Sequence, residues 1–153
     1  HPSETIEDVQ AIADLCKRVL AEGRKVAGWK VKLHAGVSTF VPKPQTPFQW
    51  VACDTRDNIL EKQALLKREF FRDKSIKLSW TKPDDTLVEA WLSRGDRRMS
   101  DVIYTAWKNG AKFDAWEEGR KFETWMAAFE EHDIDHAFYT HRQRRTDEIF
   151  RWG

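Results

Sequence analysis

A chain of 153 residues, 41% of them hydrophobic and 12% aromatic, can bury one core of ordinary domain size but not two large ones. With 26 basic and 25 acidic residues the net charge is only +1, which excludes recruitment of nucleic acid or anionic membrane by a global field and leaves only local patches for such work. No run approaches the ~18 apolar residues of a membrane span and no charged-then-apolar leader is visible, so the sequence predicts a soluble, cytoplasmic location.

The chain opens at His1 rather than Met, directly on a helix-start signal, which predicts a piece of a longer protein that is not catalytic in isolation. Thr5 followed by Asp8 forms a capping-box pattern, and Ile6, Val9, Ile12, Ala13, Cys16, Val19 and Leu20 recur at helical spacing up to a stop at Gly23. Val31, Leu33, Ala35 and Val37 then alternate as a strand running on through Phe40 and Val41. Pro42, Pro44 and Pro47 end it in a stiff loop, because each lacks a donor and restrains the residue before it.

Asp54 or Thr55 caps a second predicted helix to about Arg72, with Ile59, Gln63, Leu66 and Phe70 on one stripe and Leu60, Ala64 and Phe71 beside it. Ile76, Leu78 and Trp80 alternate as a short strand. Helices follow over 86–93, 98–108 and 122–131, with a short turn or helix near 135–139; Gly95 and Gly110 are C-terminal stops. Trp80, Trp91, Trp107, Trp116, Trp125 and Trp152, with Phe113, Phe122, Phe129 and Phe138, supply an aromatic-rich helical core. The expected class is mainly α with a few short strands, an α+β or incomplete α/β chain: a partial βα unit followed by a Trp-rich helical subdomain.

Cys16 and Cys53 are isolated, so neither a disulfide framework nor a cysteine-bound cluster within the chain is supported, and Cys16 reads as a small buried hydrophobe. In the stretch Arg94, Gly95, Asp96, Arg97 and Arg98 the guanidinium forks of Arg94, Arg97 and Arg98 suit a phosphate or carboxylate. The plainer reading is a helix–helix turn capped by Asp96. His132 and His136 have metal-ligand spacing, but Asp133 and Asp135 mark a helix boundary between them, and no metal is expected. His141, Arg142, Arg144 and Arg145 make a basic run for RNA phosphates, or a solvated segment countered by Asp147 and Glu148. No catalytic residue is assigned: no Ser–His–Asp set, Gly-rich phosphate loop or HExxH arrangement occurs.

Two segments carry a resemblance. Pro2, Ser3, Glu4 and Thr5 open a helix, and Phe40, Val41, Pro42, Lys43, Pro44, Gln45, Thr46 and Pro47 follow a strand. They resemble the fifth and sixth strand ends of a radical S-adenosylmethionine (SAM) barrel, where variants of Gly-x-Pro-x-Glu-Thr and Pro-x-Pro-x-Thr-Pro occur. The continuation through Phe48, Gln49 and Trp50, then Lys77, Leu78, Ser79 and Trp80, the 93–98 stretch and the 106–114 stretch is similar to the C-terminal part of a cobalamin-binding radical SAM subfamily.

The resemblance implies residues 1–47 as the terminal αβ part of the barrel and 48–153 as a helical C-terminal subdomain. It implies that Pro2, Ser3, Glu4, Phe40, Val41 and Pro42 wall the SAM pocket, since barrel sites are built from loops at the C-terminal ends of strands. Glu4 also reads as a favourable charge at a helix N-terminus, worth about 0.3–1 kcal/mol. The intact parent is expected to use a 4Fe–4S cluster and SAM, with cobalamin as a further cofactor; this chain lacks the cysteine triad that holds such a cluster. Its expected partner is the remainder of its own parent chain. The alternatives are an RNA- or protein-binding accessory module without catalysis and a purely structural domain closing the barrel's edge.

Overall fold

The computed structural model describes His1, residues 3–112 and residues 121–150. Among them the chain is mainly α with two short strands, as the sequence predicts. The elements are α1 (Ile6–Ala27), β1 (Leu33–Val37), α2 (Arg56–Phe70), β2 (Ile76–Trp80), α3 (Pro83–Arg94), α4 (Met99–Lys108), α5 (Phe122–Glu131) and α6 (His136–Thr140). They fall into two compact units: His1–Thr39 with Thr55–Pro83, and Phe40–Asp54 with Asp84–Gly153. Within the chain, α2 and β2 thus cluster with α1 and β1, while the segment Phe40–Asp54 clusters with the helices that follow Pro83.

In the first unit α1 starts on a complete capping box: the Thr5 hydroxyl accepts the Asp8 N–H at 3.2 Å and Asp8 accepts the Thr5 N–H at 2.8 Å. Val9, Ala13, Cys16 and Leu20 form its buried stripe. The helix runs past the expected stop at Gly23 to Gly28, whose φ of +81° suits a residue without a Cβ. Gly23 instead lies within contact of Val31, where a Cβ would sit 3.3 Å from a Val31 methyl.

β1 and β2 pair in parallel from Leu33 opposite Ile76 to Val37 opposite Trp80. The ladder ends there because β2 ends, so the strand expected to reach Val41 stops at Val37. Leu33, Ala35, Val37, Ile76 and Leu78 pack with the stripes of α1 and α2. All four residues of the expected α2 stripe, Ile59, Gln63, Leu66 and Phe70, are buried, while Leu60 and Phe71 are exposed. Each fully buried aliphatic here contributes about 1.5–3 kcal/mol.

The second unit is built round Trp91, which has no exposed surface. Phe122 stacks on it at 5.5 Å between ring centroids, and Phe129 and His136 meet it edge-on at 4.8 and 5.5 Å. Leu87, Met99, Val102, Ala106, Trp125, Ala128 and Tyr139 complete the core. Helix α3 begins at Pro83 rather than Thr86, since the first helical turn needs no donor from that residue. Of the remaining expected core aromatics, Trp107 and Phe138 are exposed, Trp80 belongs to the first unit, and Phe113, Trp116 and Trp152 lie outside the described residues. Gly95 allows close approach: a Cβ there would lie 2.2 Å from Met99 Cγ and 2.8 Å from the Trp91 carbonyl oxygen.

Candidate functional site

In the first unit, strand alternation divides the two-stranded sheet into unlike faces. One is apolar and carries the helices; the other presents His34, Gly36, Lys77 and Ser79, all exposed. His34 Nε2 and the Ser79 hydroxyl hydrogen-bond across the strands at 3.1 Å. Parallel strands are normally covered on both faces by apolar layers, so a small and polar second face is informative. Sequence reasoning named neither His34 nor Ser79 as a site residue. The signal was there, as polar residues alternating with the apolar ones, but the register that joins them is a tertiary fact.

Ser3 and Glu4 also belong to this unit, and Pro2 lies outside the described residues. The Ser3 hydroxyl and the His1 ring lie 3.1 Å apart. The Glu4 carboxylate takes an ion pair from Lys62 Nζ at 2.9 Å, and its N–H closes a turn onto the His1 carbonyl at 3.0 Å.

Phe40, Val41 and Pro42 belong to the second unit, in an irregular but heavily fastened segment. Phe40 and Phe48 meet edge-to-face at 5.5 Å, and the Thr46 hydroxyl donates to the Lys43 carbonyl at 2.8 Å. Gln45 takes a left-handed φ of 58°, and its N–H donates to the Gln49 side chain at 3.0 Å. Lys43 forms an ion pair with Glu89. Pro42 is fully buried.

The fastening centres on Arg94, the last residue of α3, which is 1% exposed. Its Nε donates to the Tyr139 carbonyl at 2.9 Å, Nη1 to the Pro42 carbonyl at 3.1 Å and Nη2 to the Val51 carbonyl at 3.0 Å. Arg144, also buried, donates from Nη2 to the carbonyls of Arg94 and Tyr139, both at 3.3 Å, and its N–H reaches the Trp50 carbonyl at 2.8 Å. The Cys53 N–H donates to the Thr140 carbonyl at 2.7 Å. Burial pushes both guanidinium groups below their usual value, Arg144 to about 10, where the neighbouring Arg94 and Arg142 charges add to the effect. Both remain cations at neutral pH.

The other arginines proposed for anions are placed differently. Arg98 is largely exposed and forks onto Asp96, with Nη2 to Oδ2 at 2.8 Å. Asp96 also accepts the Arg98 N–H at 3.0 Å and the Tyr139 hydroxyl at 3.0 Å, and these donors, the Arg98 side chain first, hold its carboxyl down to about 2. Asp96 thus shapes the turn before α4. Arg97 is exposed. In the basic run, Arg142 forks onto Glu148 with both bonds at 2.7 Å and lies over the Phe138 ring, and Arg145 forks onto Asp147.

An iron–sulfur cluster needs several thiolates in one place. The two cysteines, Cys16 and Cys53, are both buried and belong to different units, so this chain's own residues do not fit a cluster. His132 ends α5, where Asp133 has a left-handed φ of 52°, and its Nε2 lies 2.8 Å from the Thr105 hydroxyl; His136 opens α6 inside the Trp91 cluster. Among the described residues no group of three or more His, Cys, Asp or Glu side chains is arranged to hold a metal, and no helix is long and apolar enough to cross a membrane.

No family model and no solved structure matches the chain. It is similar to an uncharacterized protein of Methanocaldococcus jannaschii, with 28% identity over 104 residues. The match covers 67% of this chain and 21% of that protein, so the chain spans about a fifth of the length of that curated relative.

Proposed function

We propose that this chain is the terminal αβ part of a radical SAM barrel with a helical extension, working within a longer enzyme. That enzyme would cleave SAM reductively at a 4Fe–4S cluster held elsewhere in the protein, for radical chemistry or, with cobalamin, methyl transfer. Such cofactors supply the difficult chemistry, and the residues here would shape the pocket and exclude water.

The observation that carries the reading is the unlike pair of sheet faces in the first unit. A doubly wound sheet would require apolar residues at positions 34, 36, 77 and 79 to seat a second helical layer. His34, Gly36, Lys77 and Ser79 suit instead a face turned toward a ligand-holding lumen, as in an open barrel. The order α1, β1, α2, β2 with parallel pairing fits successive βα repeats. In the chain, Ser3 and Glu4 precede α1 and Phe40, Val41 and Pro42 follow β1, the sequence positions that the resemblance assigns to the SAM pocket.

The alternative of an RNA- or protein-binding module has less to rest on, because Arg94, Arg98, Arg142, Arg144 and Arg145 all engage internal partners. The test is anaerobic purification of the full-length protein. We expect an upstream CxxxCxxC motif, a reducible 4Fe–4S signal by electron paramagnetic resonance, and 5′-deoxyadenosine on reduction with SAM. A full-length protein with no such motif and no cluster signal would sink the reading.

A further inference from the structure

We infer that the end of the first unit where its strands begin is a binding surface for single-stranded nucleic acid. Phe71 and Trp29 are its platforms for bases, and Arg68, Arg72, Lys74, Lys30 and Lys32 its contacts for phosphates. The inference does not rest on the proposed function. It concerns the end of the sheet opposite to the one where barrel enzymes do their chemistry.

Charge is shared unevenly along the chain: the first unit holds fourteen of the 26 Lys and Arg residues but nine of the 25 Asp and Glu. β1 and β2 run parallel with Leu33 opposite Ile76, so the turns that enter them, 28–32 and 71–75, lie at one end of the sheet. The turns are tied to each other. The Leu33 N–H donates to the Ser75 carbonyl at 2.8 Å, and Arg24 Nη2 to the Ser75 hydroxyl at 2.8 Å. Each turn holds an aromatic ring out in solvent, Trp29 at 78% exposure and Phe71 at 85%. Rings of this size are mostly buried, and neither makes a ring contact among the described residues.

An open hollow of about 510 Å³ at the end of α2 is lined by Lys67, Arg68, Glu69, Phe71 and Arg72. The side chains of Arg68 and Arg72 make no hydrogen bond or ion pair among the described residues. The nearby carboxylates are already engaged: Glu69 pairs with Lys17 Nζ at 2.8 Å, and Asp73 accepts the Ser75 N–H at 2.9 Å. Lys67 leans over the Trp80 ring, 5.2 Å from its centroid. Lys67 and Arg68 also offset the α2 dipole, as cations in a last turn do. Arg72, Lys74, Lys30 and Lys32 stand past the helix ends and have no such task.

An exposed ring beside unpaired cations answers both halves of a nucleotide, since the base stacks on the ring and the phosphate meets the charge. A second ring and further cations on the adjoining turn continue the surface, which suits a polymer. A duplex keeps its base faces stacked inside, and an acidic peptide offers carboxylates but nothing to cover the rings. Insertion into a bilayer needs a continuous apolar stripe. Here Gly28 and Lys30 border Trp29, and Arg72 follows Phe71.

The experiment titrates the full-length protein into a fluorescein-labelled single-stranded RNA of about 12 nucleotides, read by anisotropy across a salt series. The competitors are a duplex of the same RNA and vesicles of phosphatidylcholine with phosphatidylserine. We expect affinity for the single strand to fall as salt rises. Trp29→Ala and Phe71→Ala should each weaken binding about tenfold, and the ring-keeping Trp29→Phe and Phe71→Trp should hold it near wild type. Arg68→Ala combined with Arg72→Ala should flatten the slope of log affinity against log salt by about 1.4, from ~0.7 per phosphate contact. Arg97→Ala, which removes an exposed cation of the second unit, should change neither quantity.

No binding at about 150 mM salt overturns the inference. Binding that survives the loss of both rings overturns it in favour of a surface that reads charge alone. Equal competition by the duplex or by the vesicles overturns the single-strand assignment. Absence of a cluster or of SAM binding bears on the proposed function and not on these readings.

Discussion

The two compact units handle buried backbone in opposite ways. In the first, helices and a parallel ladder satisfy the main chain from within, so the interior between α1, α2 and the strands is almost wholly apolar. In the second, an irregular, half-buried segment of backbone belongs to the unit with the aromatic core, and two buried arginines donate to carbonyls that no regular structure serves. Regular secondary structure lets a core be dry, whereas a loop drawn into a core brings its polar groups with it and needs side-chain donors to match.

The largest expected effect sharpens this contrast through the cores themselves. Trp91→Ala removes a side chain with no exposed surface and three ring neighbours, and should destabilise the second unit by about 3–5 kcal/mol. Leu66→Ala in the first unit should cost about 2–4 kcal/mol. Peptide-resolved hydrogen exchange should show protection lost over 84–112 and 121–150 for the first variant, and over 6–37 and 56–80 for the second. Equal loss across both regions in each variant would abolish the distinction between the units.

A smaller effect is expected at the junction of α3 and α4. Gly95→Ala places a methyl 2.8 Å from the Trp91 carbonyl oxygen, which a side-chain rotation at Met99 cannot relieve, and should cost about 1–3 kcal/mol in a urea titration. Full stability in this variant would show that the turn has slack.

The smallest effect is a pH dependence confined to the second unit. Burial within the Trp91 and Phe129 rings holds His136 below the ordinary imidazole value; His141 adds to this and Asp135 opposes it. The unfolded chain then takes up the proton first, so stability falls as pH drops through about 6.5 toward the lower folded value. His136→Phe, which keeps the ring and removes the titration, should flatten the melting temperature between about pH 7 and 5. An identical slope in wild type and variant would assign the dependence elsewhere.

Periodicity made much of the fold legible. The α2 stripe of Ile59, Gln63, Leu66 and Phe70 is buried at every position, because a 3.6-residue period records the face that meets the core. Gly23 misled, since glycine marks both helix ends and close approaches, and only the neighbour Val31 reveals which. Strand alternation was legible but the pairing of His34 with Ser79 was not, because register depends on another strand. Arg94 was the least legible of all. Its neighbours Gly95, Asp96, Arg97 and Arg98 made it look like part of an anion-binding turn, and its acceptors at positions 42, 51 and 139 leave no spacing pattern in the chain.

The acceptors of Arg94 are three neutral amide carbonyls with no carboxylate among them. Amide dipoles neither gain nor lose protons across the range in which Asp, Glu and His titrate, and a buried contact of this kind lies largely beyond the reach of dissolved ions. A hold built on Asp or Glu would slacken in acid; this one has no such dial. The hold of Arg94 on the loop therefore stays indifferent to the acidity and salinity of its surroundings, unlike the exposed Lys43–Glu89 ion pair on the same segment.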